Sequence, residues 1–266
     1  MRVDFTFQEH YGIDDLLRIM ELLRSPDGCP WDKEQTHESI RMNLLEEAYE
    51  TVEAIDRRDS EALCEELGDV LLQVVFHSRM EQETGGFGFA QVTDGICKKL
   101  IERHPHVFGT VQADTTDEVL SNWEQIKQRQ KQQTTAAQTL HSVPMTFPAL
   151  MRAQKVQKRA AKAGFDWDDA AGAMKKLTEE EAELREAARE GRREQVCEEL
   201  GDLLFSAVNV ARFLEVDAEE ALTGATNKFI GRFEQVEELA RQRGVDMRTA
   251  GIEALDRLWE EVKAKE

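Results

Sequence analysis

Two pairs of acids, each spaced three residues apart, stand in the first half of the chain: Glu47 with Glu50, and Glu66 with Asp69. The second half repeats them as Glu180 with Glu183 and Glu199 with Asp202. On a helix, positions i and i+3 project in nearly one direction. Two such helices packed antiparallel bring four carboxylates to one cleft, where like charges repel unless cations neutralise them. Hard oxygen donors with no His or Cys beside them suit Mg²⁺, with Mn²⁺ as an acceptable substitute. In a chain with 53 acidic residues a single ExxE is ordinary solvated surface. Two pairs at a similar interval, kept in both halves, are much harder to obtain from composition. A di-iron carboxylate bundle would need two Glu-x-x-His motifs, and only Glu34 to His37 has that form.

Cations follow the acids in each half. Lys99 and Arg103, like Lys228 and Arg232, stand four residues apart on a later helix. In a protein of net charge −19, two cations on one face can clamp a polyphosphate whose other oxygens the metal holds. Trp123 and Trp259 are suited either to stack on a nucleobase or to close a core, whereas Trp31 and Trp167 read as core. Asn209 lies seven residues after Asp202, about 20° around the helix, and its amide offers both a donor and an acceptor to a base edge. The first half has Phe76 at that place, and Met42 and Asn43 where the second has Lys175 and Lys176. These differences assign most of the catalytic activity to the second half.

The elements that must carry these residues read as helices. Only five prolines occur, none between Pro30 and Pro105 or after Pro148, and apolar residues recur with helical period. In "ALCEELGDVLLQVVF" the residues Leu63, Leu67, Val70, Leu71 and Val74 share a face. Val196, Leu200, Leu203, Leu204 and Ala207 do so in "QVCEELGDLLFSAVNVARF". With Leu67 as the centre of the expected buried face, Glu66 and Asp69 fall on its flank. The expectation is an all-α protein. The polar stretch Lys127 to Pro144 reads as a helix tail and a linker, giving domains at 1–127 and 144–266 with a linker at 128–143. The halves are copies: "CEELGD" occurs at Cys64 and again at Cys197, and "KLIERH" resembles "KFIGRF". "WEQIK" likewise resembles "WEEVK", and "CPWD" parallels "GFDWD".

Composition narrows the partners. With 41% hydrophobic and 33% charged residues, the chain has a soluble balance and no run of the roughly 18 apolar residues a membrane span needs. Its first residues lack a signal-peptide core, and four cysteines without CxxC spacing read as reduced buried thiols, so the expected location is the cytoplasm. The negative field opposes nucleic-acid polymers and anionic membranes.

EExxE followed by ExxD, with "GCPWDKEQTHESI", "ERHPHVF", "PALMRAQKVQKRAAKAGFDW" and "EELGDLLF", resembles the MazG-type nucleoside triphosphate pyrophosphohydrolases, in particular the two-domain bacterial members. The likeness runs from about Ile19 to Lys263. It implies two tandem MazG-like helical domains, bundles completed by homodimerisation, and Mg²⁺-dependent hydrolysis of nucleoside triphosphates, of broad base range, to the monophosphate and pyrophosphate. It implies Glu180, Glu183, Glu199 and Asp202 as catalytic metal ligands, Lys228 and Arg232 on the phosphates, and Trp259 on the nucleotide. Lys176 to Glu180 would line the pocket, and Glu47, Glu50, Glu66 and Asp69, with Lys99, Arg103 and Trp123, are the first-half equivalents. No nucleophile–base pair indicates a covalent intermediate, so direct attack by water at the α-phosphorus is expected, with Glu46 and Glu179 as candidate bases. The competing expectation is a non-catalytic helical dimer that senses nucleotide or metal, or binds a protein.

Overall fold

The structure, a computed structural model, describes residues 3–130 and 133–265. Residues 131 and 132 of the expected linker, and 1, 2 and 266 at the ends of the expected domains, lie outside the described residues. Among the described residues every regular element is a helix, so the protein is all-α. None of the helices is long and apolar enough to cross a membrane. The chain folds as two compact units, residues 1–127 and 128–266.

The first unit opens with α1 (Ile13–Arg24) and a short α2 (Pro30–Glu34), followed by the hairpin of α3 (Arg41–Asp56) and α4 (Ser60–Glu83). Asp59 starts α4 by accepting from the backbone N–H groups of Glu61 and Ala62 at 3.2 and 3.1 Å, a side-chain cap on otherwise orphan donors. Arg58, at φ 55°, makes the reversal between the two helices. Its core joins Met20 of α1 and Ile40 to Val75, Phe76 and Met80 of α4. The helices α5 (Phe89–Arg103) and α6 (Pro105–Phe108) follow, and α7 (Thr116–Gln130) runs across the border between the units.

The second unit repeats the plan. The segment expected as a linker contains α8 (Ala136–His141), tied to α9 (Ala149–Lys162) by Arg159. That side chain donates to the Thr139 carbonyl and, at 2.7 Å, to the Ser142 hydroxyl. The hairpin is α10 (Ala170–Glu190) and α11 (Arg193–Phe213). Asp169 caps α10 at its start, and Gly191, at φ 68°, ends it in the left-handed conformation that glycine adopts without steric cost. After α12 (Ala218–Gln242), α13 (Ile252–Lys263) folds back so that Leu258 and Val262 bury against Val236 and Ala240.

Three sequence expectations change. Leu67 is 53% exposed and Leu200 is 45% exposed, so the leucine stripe is not the face buried within either unit. Burial on α4 begins at Gln73 and takes in Val75, Phe76, Ser78 and Met80; Gln73, Phe76 and Met80 lie within about 40° of Asp69, whereas the exposed Leu67 and Leu71 lie about 160° away. Trp31 and Trp167 are 59% and 50% exposed, not core residues. The cysteines are free, but Cys64, Cys97 and Cys197 are exposed instead of buried.

Candidate metal and nucleotide site

In an antiparallel hairpin, residues equally far from the turn come level. Glu47 and Asp69 each lie eleven positions from Arg58, and Glu50 and Glu66 each lie eight. The second hairpin has the same symmetry about Gly191, with Glu180 and Asp202 at eleven positions and Glu183 and Glu199 at eight. One oxygen each from Glu47, Glu66 and Asp69 accordingly lies within 4.8 Å of the other two, and Glu180, Glu199 and Asp202 form the same trio. Glu50 and Glu183, both exposed, stand outside these trios, but their charges reach Glu66 and Glu199 respectively.

The electrostatics are those of crowded carboxylates. Burial, and then the charges of Asp69, Glu50 and Glu66, raise the proton affinity of Glu47, against a hydrogen bond from Gln73. Burial and neighbouring acids likewise raise Glu66 and Glu199. Three converging oxygen donors, held together at a cost in repulsion and free of His or Cys, fit a hard divalent cation.

The second trio has a feature the first lacks. Glu180 is 4% exposed, and the Lys176 ammonium lies 2.5 Å from it and 2.8 Å from Glu179. Lys176 therefore meets a trio member directly, one helical turn away on α10. Its hydrogen bond, and then its charge, hold Glu179 below the usual carboxylate range, which makes Glu179 a weaker base than an ordinary carboxylate. Glu46 is exposed on α3. At the corresponding place in the first unit stands Asn43, which brings no charge.

The remaining candidates gather in other ways. Arg103 lies 5.0 Å from the centre of the Trp123 ring, and Arg232 lies 5.8 Å from that of Trp259, so the same cation–π pair forms in both units. Trp259 also packs on the core of α12 and α13. Lys99 and Lys228 stand on exposed stretches of α5 and α12, 94–102 and 220–230. Asn209 lines a cavity between α9 and α11, and its side-chain oxygen accepts from Arg212 at 2.8 and 3.0 Å. Sequence reasoning missed Arg212, which also pairs with Asp166 at 2.5 Å, and Gln157, which donates to the Phe205 carbonyl at 2.8 Å. Arg212 is three residues beyond Asn209, so helical spacing alone could have drawn attention to it. Nothing local marks Gln157.

A family model described as the MazG nucleotide pyrophosphohydrolase domain matches the chain twice, over residues 35–108 and 168–237. The chain is 46% identical over 257 residues to a nucleoside triphosphate pyrophosphohydrolase of Escherichia coli, covering 96% of this chain and 98% of that one. It is 46% identical over 250 residues to the nucleoside triphosphate pyrophosphohydrolase/pyrophosphatase MazG of Thermotoga maritima, covering 94% and 95%. A nucleoside triphosphate pyrophosphohydrolase of Mycolicibacterium smegmatis is 40% identical over 153 residues, 57% of this chain and 46% of that one.

Proposed function

The chain belongs to the MazG nucleotide pyrophosphohydrolase family, and on that premise we propose that it hydrolyses nucleoside triphosphates to the nucleoside monophosphate and pyrophosphate. The observation that carries this reading is the trio of Glu180, Glu199 and Asp202, whose oxygens converge within 4.8 Å. With Glu183 beside them, these residues would hold Mg²⁺, or Mn²⁺ in its place. Such an ion supplies charge neutralisation at the phosphates and a more acidic water. Water attacks the α-phosphorus, the bond to the bridging oxygen breaks, and that oxygen leaves on pyrophosphate while the water proton passes to a carboxylate or to solvent. Glu179 serves as that carboxylate only when its bond to Lys176 opens.

Lys228 and Arg232 bind the phosphates and Trp259 contacts the nucleotide in this proposal, with Lys99, Arg103 and Trp123 as their first-unit equivalents. These residues sit on helices with uncovered apolar side chains, among them Leu100, Ile101, Phe229, Ile230 and Phe233. That exposure supports a homodimer in which a second copy covers them and completes the bundles. The second unit is the main active site, supported by Lys176 and Asn209 where the first unit has Asn43 and Phe76. Base range is broad, and the location is cytoplasmic.

The test is pyrophosphate release from a panel of ribo- and deoxynucleoside triphosphates with Mg²⁺, using wild type, Glu50→Ala and Glu183→Ala. Loss in Glu183→Ala with retention in Glu50→Ala is expected. The reverse would move the working site to the first unit, and partial loss in each would mean two working sites. No pyrophosphate from any substrate, with metal binding intact, would leave a metal or nucleotide sensor in place of an enzyme.

A further inference from the structure

The two carboxylate trios are held by different neighbours. In the second unit the Lys176 ammonium lies 2.5 Å from Glu180 and 2.8 Å from Glu179, so one of the three site charges is already met by a cation. With the two ExxD motifs in register, an offset of 202 − 69 = 133, Lys176 falls on Asn43, which brings no charge.

The first unit has an amide instead. Gln73 stands one turn beyond Asp69 on α4, about 40° round the helix, and is 8% exposed. Its side chain donates a hydrogen bond to the Glu47 carboxylate, which commits the amide nitrogen to that partner. The other end of the amide, Oε1, is buried and has no hydrogen-bond partner among the described residues. In the same register the second unit has Ser206 there, which brings no amide.

These neighbours act differently on an incoming cation. A neutral donor orients Glu47 without neutralising it, so the first trio keeps its full charge on oxygens within 4.8 Å of one another. A divalent ion relieves that crowding. Mg²⁺ keeps several of its waters, and a water on the ion carries the O–H donor that the buried Oε1 lacks. In the second unit an ion must first separate Lys176 from Glu180. That carboxylate is 4% exposed, and its attraction to the ammonium is weakly screened. A triphosphate draws the ammonium toward its own oxygens and frees Glu180 for the ion. Ion and nucleotide then favour each other's binding, reciprocally and by the same factor.

We propose that the first trio, with Gln73 as its positioning residue, takes a divalent cation in the absence of nucleotide, whereas the second trio, through Lys176, takes its cation together with the triphosphate. The inference rests on the metal assignment made above for the carboxylates. The first ion is then a resident of the fold that joins α3 to α4, and the second is a component of the substrate complex. Duplication has given two sites with the same ligands and different orders of filling.

The test titrates the full-length protein with Mn²⁺ in the absence of nucleotide and follows free Mn²⁺ by electron paramagnetic resonance. One ion per chain should bind at least tenfold more tightly than the next. Glu47→Gln should remove the tight site, and Glu199→Gln the weak one. Gln73→Leu should weaken the tight site about tenfold without lowering the melting temperature in chelator, which a purely structural role would lower. Asn43→Lys, which installs the second unit's cation, should weaken the tight site at least tenfold. Lys176→Met should tighten the weak site by a similar factor, and these two variants carry the test if Gln73→Leu does not fold. Addition of α,β-methylene ATP should tighten the weak site at least tenfold in wild type and less in Lys176→Met. Equal affinities at the two sites, a tight site that survives Glu47→Gln, or an isotherm left unchanged by Gln73→Leu or by the exchanges at Asn43 and Lys176 would each overturn the inference and leave the metal assignment standing. Binding by neither trio would overturn both.

Discussion

Lys176 shows how much one residue can alter a duplicated site. Its two acidic partners follow at i+3 and i+4, the spacing at which helical side chains meet, so the pairing was legible in the sequence. What the sequence could not say is that Glu180 is buried while Glu179 is not, because that depends on α11 covering α10. A buried carboxylate needs a partner, and removing one member of a fully buried pair costs several kcal/mol. Lys176 is partly solvated, so Lys176→Met should lower the melting temperature of the metal-free second unit only modestly. Melting in a chelator measures this, with Lys176→Arg expected to restore most of the loss. An unchanged melting temperature would mean that the pair contributes nothing beyond what water supplies to each charge. The same substitution should raise KM for nucleoside triphosphates, because the proposed pocket loses a cation.

At the scale of the helix, periodicity identified α4 and α11, and the scarcity of proline with the three-residue spacing of the acids placed the partner acids on helices that are α3 and α10. Periodicity could not choose between the two faces of α4 and α11. Each has a leucine stripe and, nearly opposite, a second stripe that begins at the metal-site acids and continues through Gln73 and Phe76, or Ser206, and only further along, at Val75 or Val208, is the leucine side buried as well. The unit's own core takes the second stripe because α1 or α9 packs there, and that contact is long-range. Trp31 and Trp167 were misassigned for a related reason: whether a tryptophan is covered depends on long-range contacts, and here the rings stay 59% and 50% exposed. The leucine stripe left exposed is the face that the proposed homodimer would cover. Full burial of a leucine is worth about 1.5–3 kcal/mol, so Leu200→Lys together with Leu204→Lys should weaken association at least a hundredfold. Light scattering at micromolar concentration should then show monomer. A double variant that remains dimeric would place the interface elsewhere.

Across the whole molecule, two copies of one frame have diverged by filling or emptying the same places, while each retains three converging carboxylates. That retention has a consequence for stability in a chain of net charge −19. Glu47, Glu66 and Glu199 bind protons more tightly in the folded state than ordinary carboxylates do. Protonation therefore favours folding at these groups, a contribution present at low pH and lost as pH rises through their folded values. Asp166, Glu21 and Glu83 are lowered, chiefly by arginine partners against the opposing effect of burial, and a pair with Arg241 lowers Glu238 to about 2. Their contribution is present above the ordinary carboxylate range and is lost only as pH falls through those depressed values. Above the ordinary carboxylate range the second set stays ionised, so lowering the pH from neutrality acts through the raised first set and the metal-free protein should melt higher near pH 5.5 than near pH 7.5. Mg²⁺ at about a hundred times its dissociation constant adds about 2.7 kcal/mol, roughly 5–10 °C for a unit of this size. It competes with protons for the same oxygens, so its effect should be largest near pH 7.5 and should shrink near pH 5.5. Melting curves at both pH values, with chelator and with Mg²⁺, provide the measurement. An equal shift at both would mean that the ion does not bind through the ionised trios, and the metal assignment would fail with it.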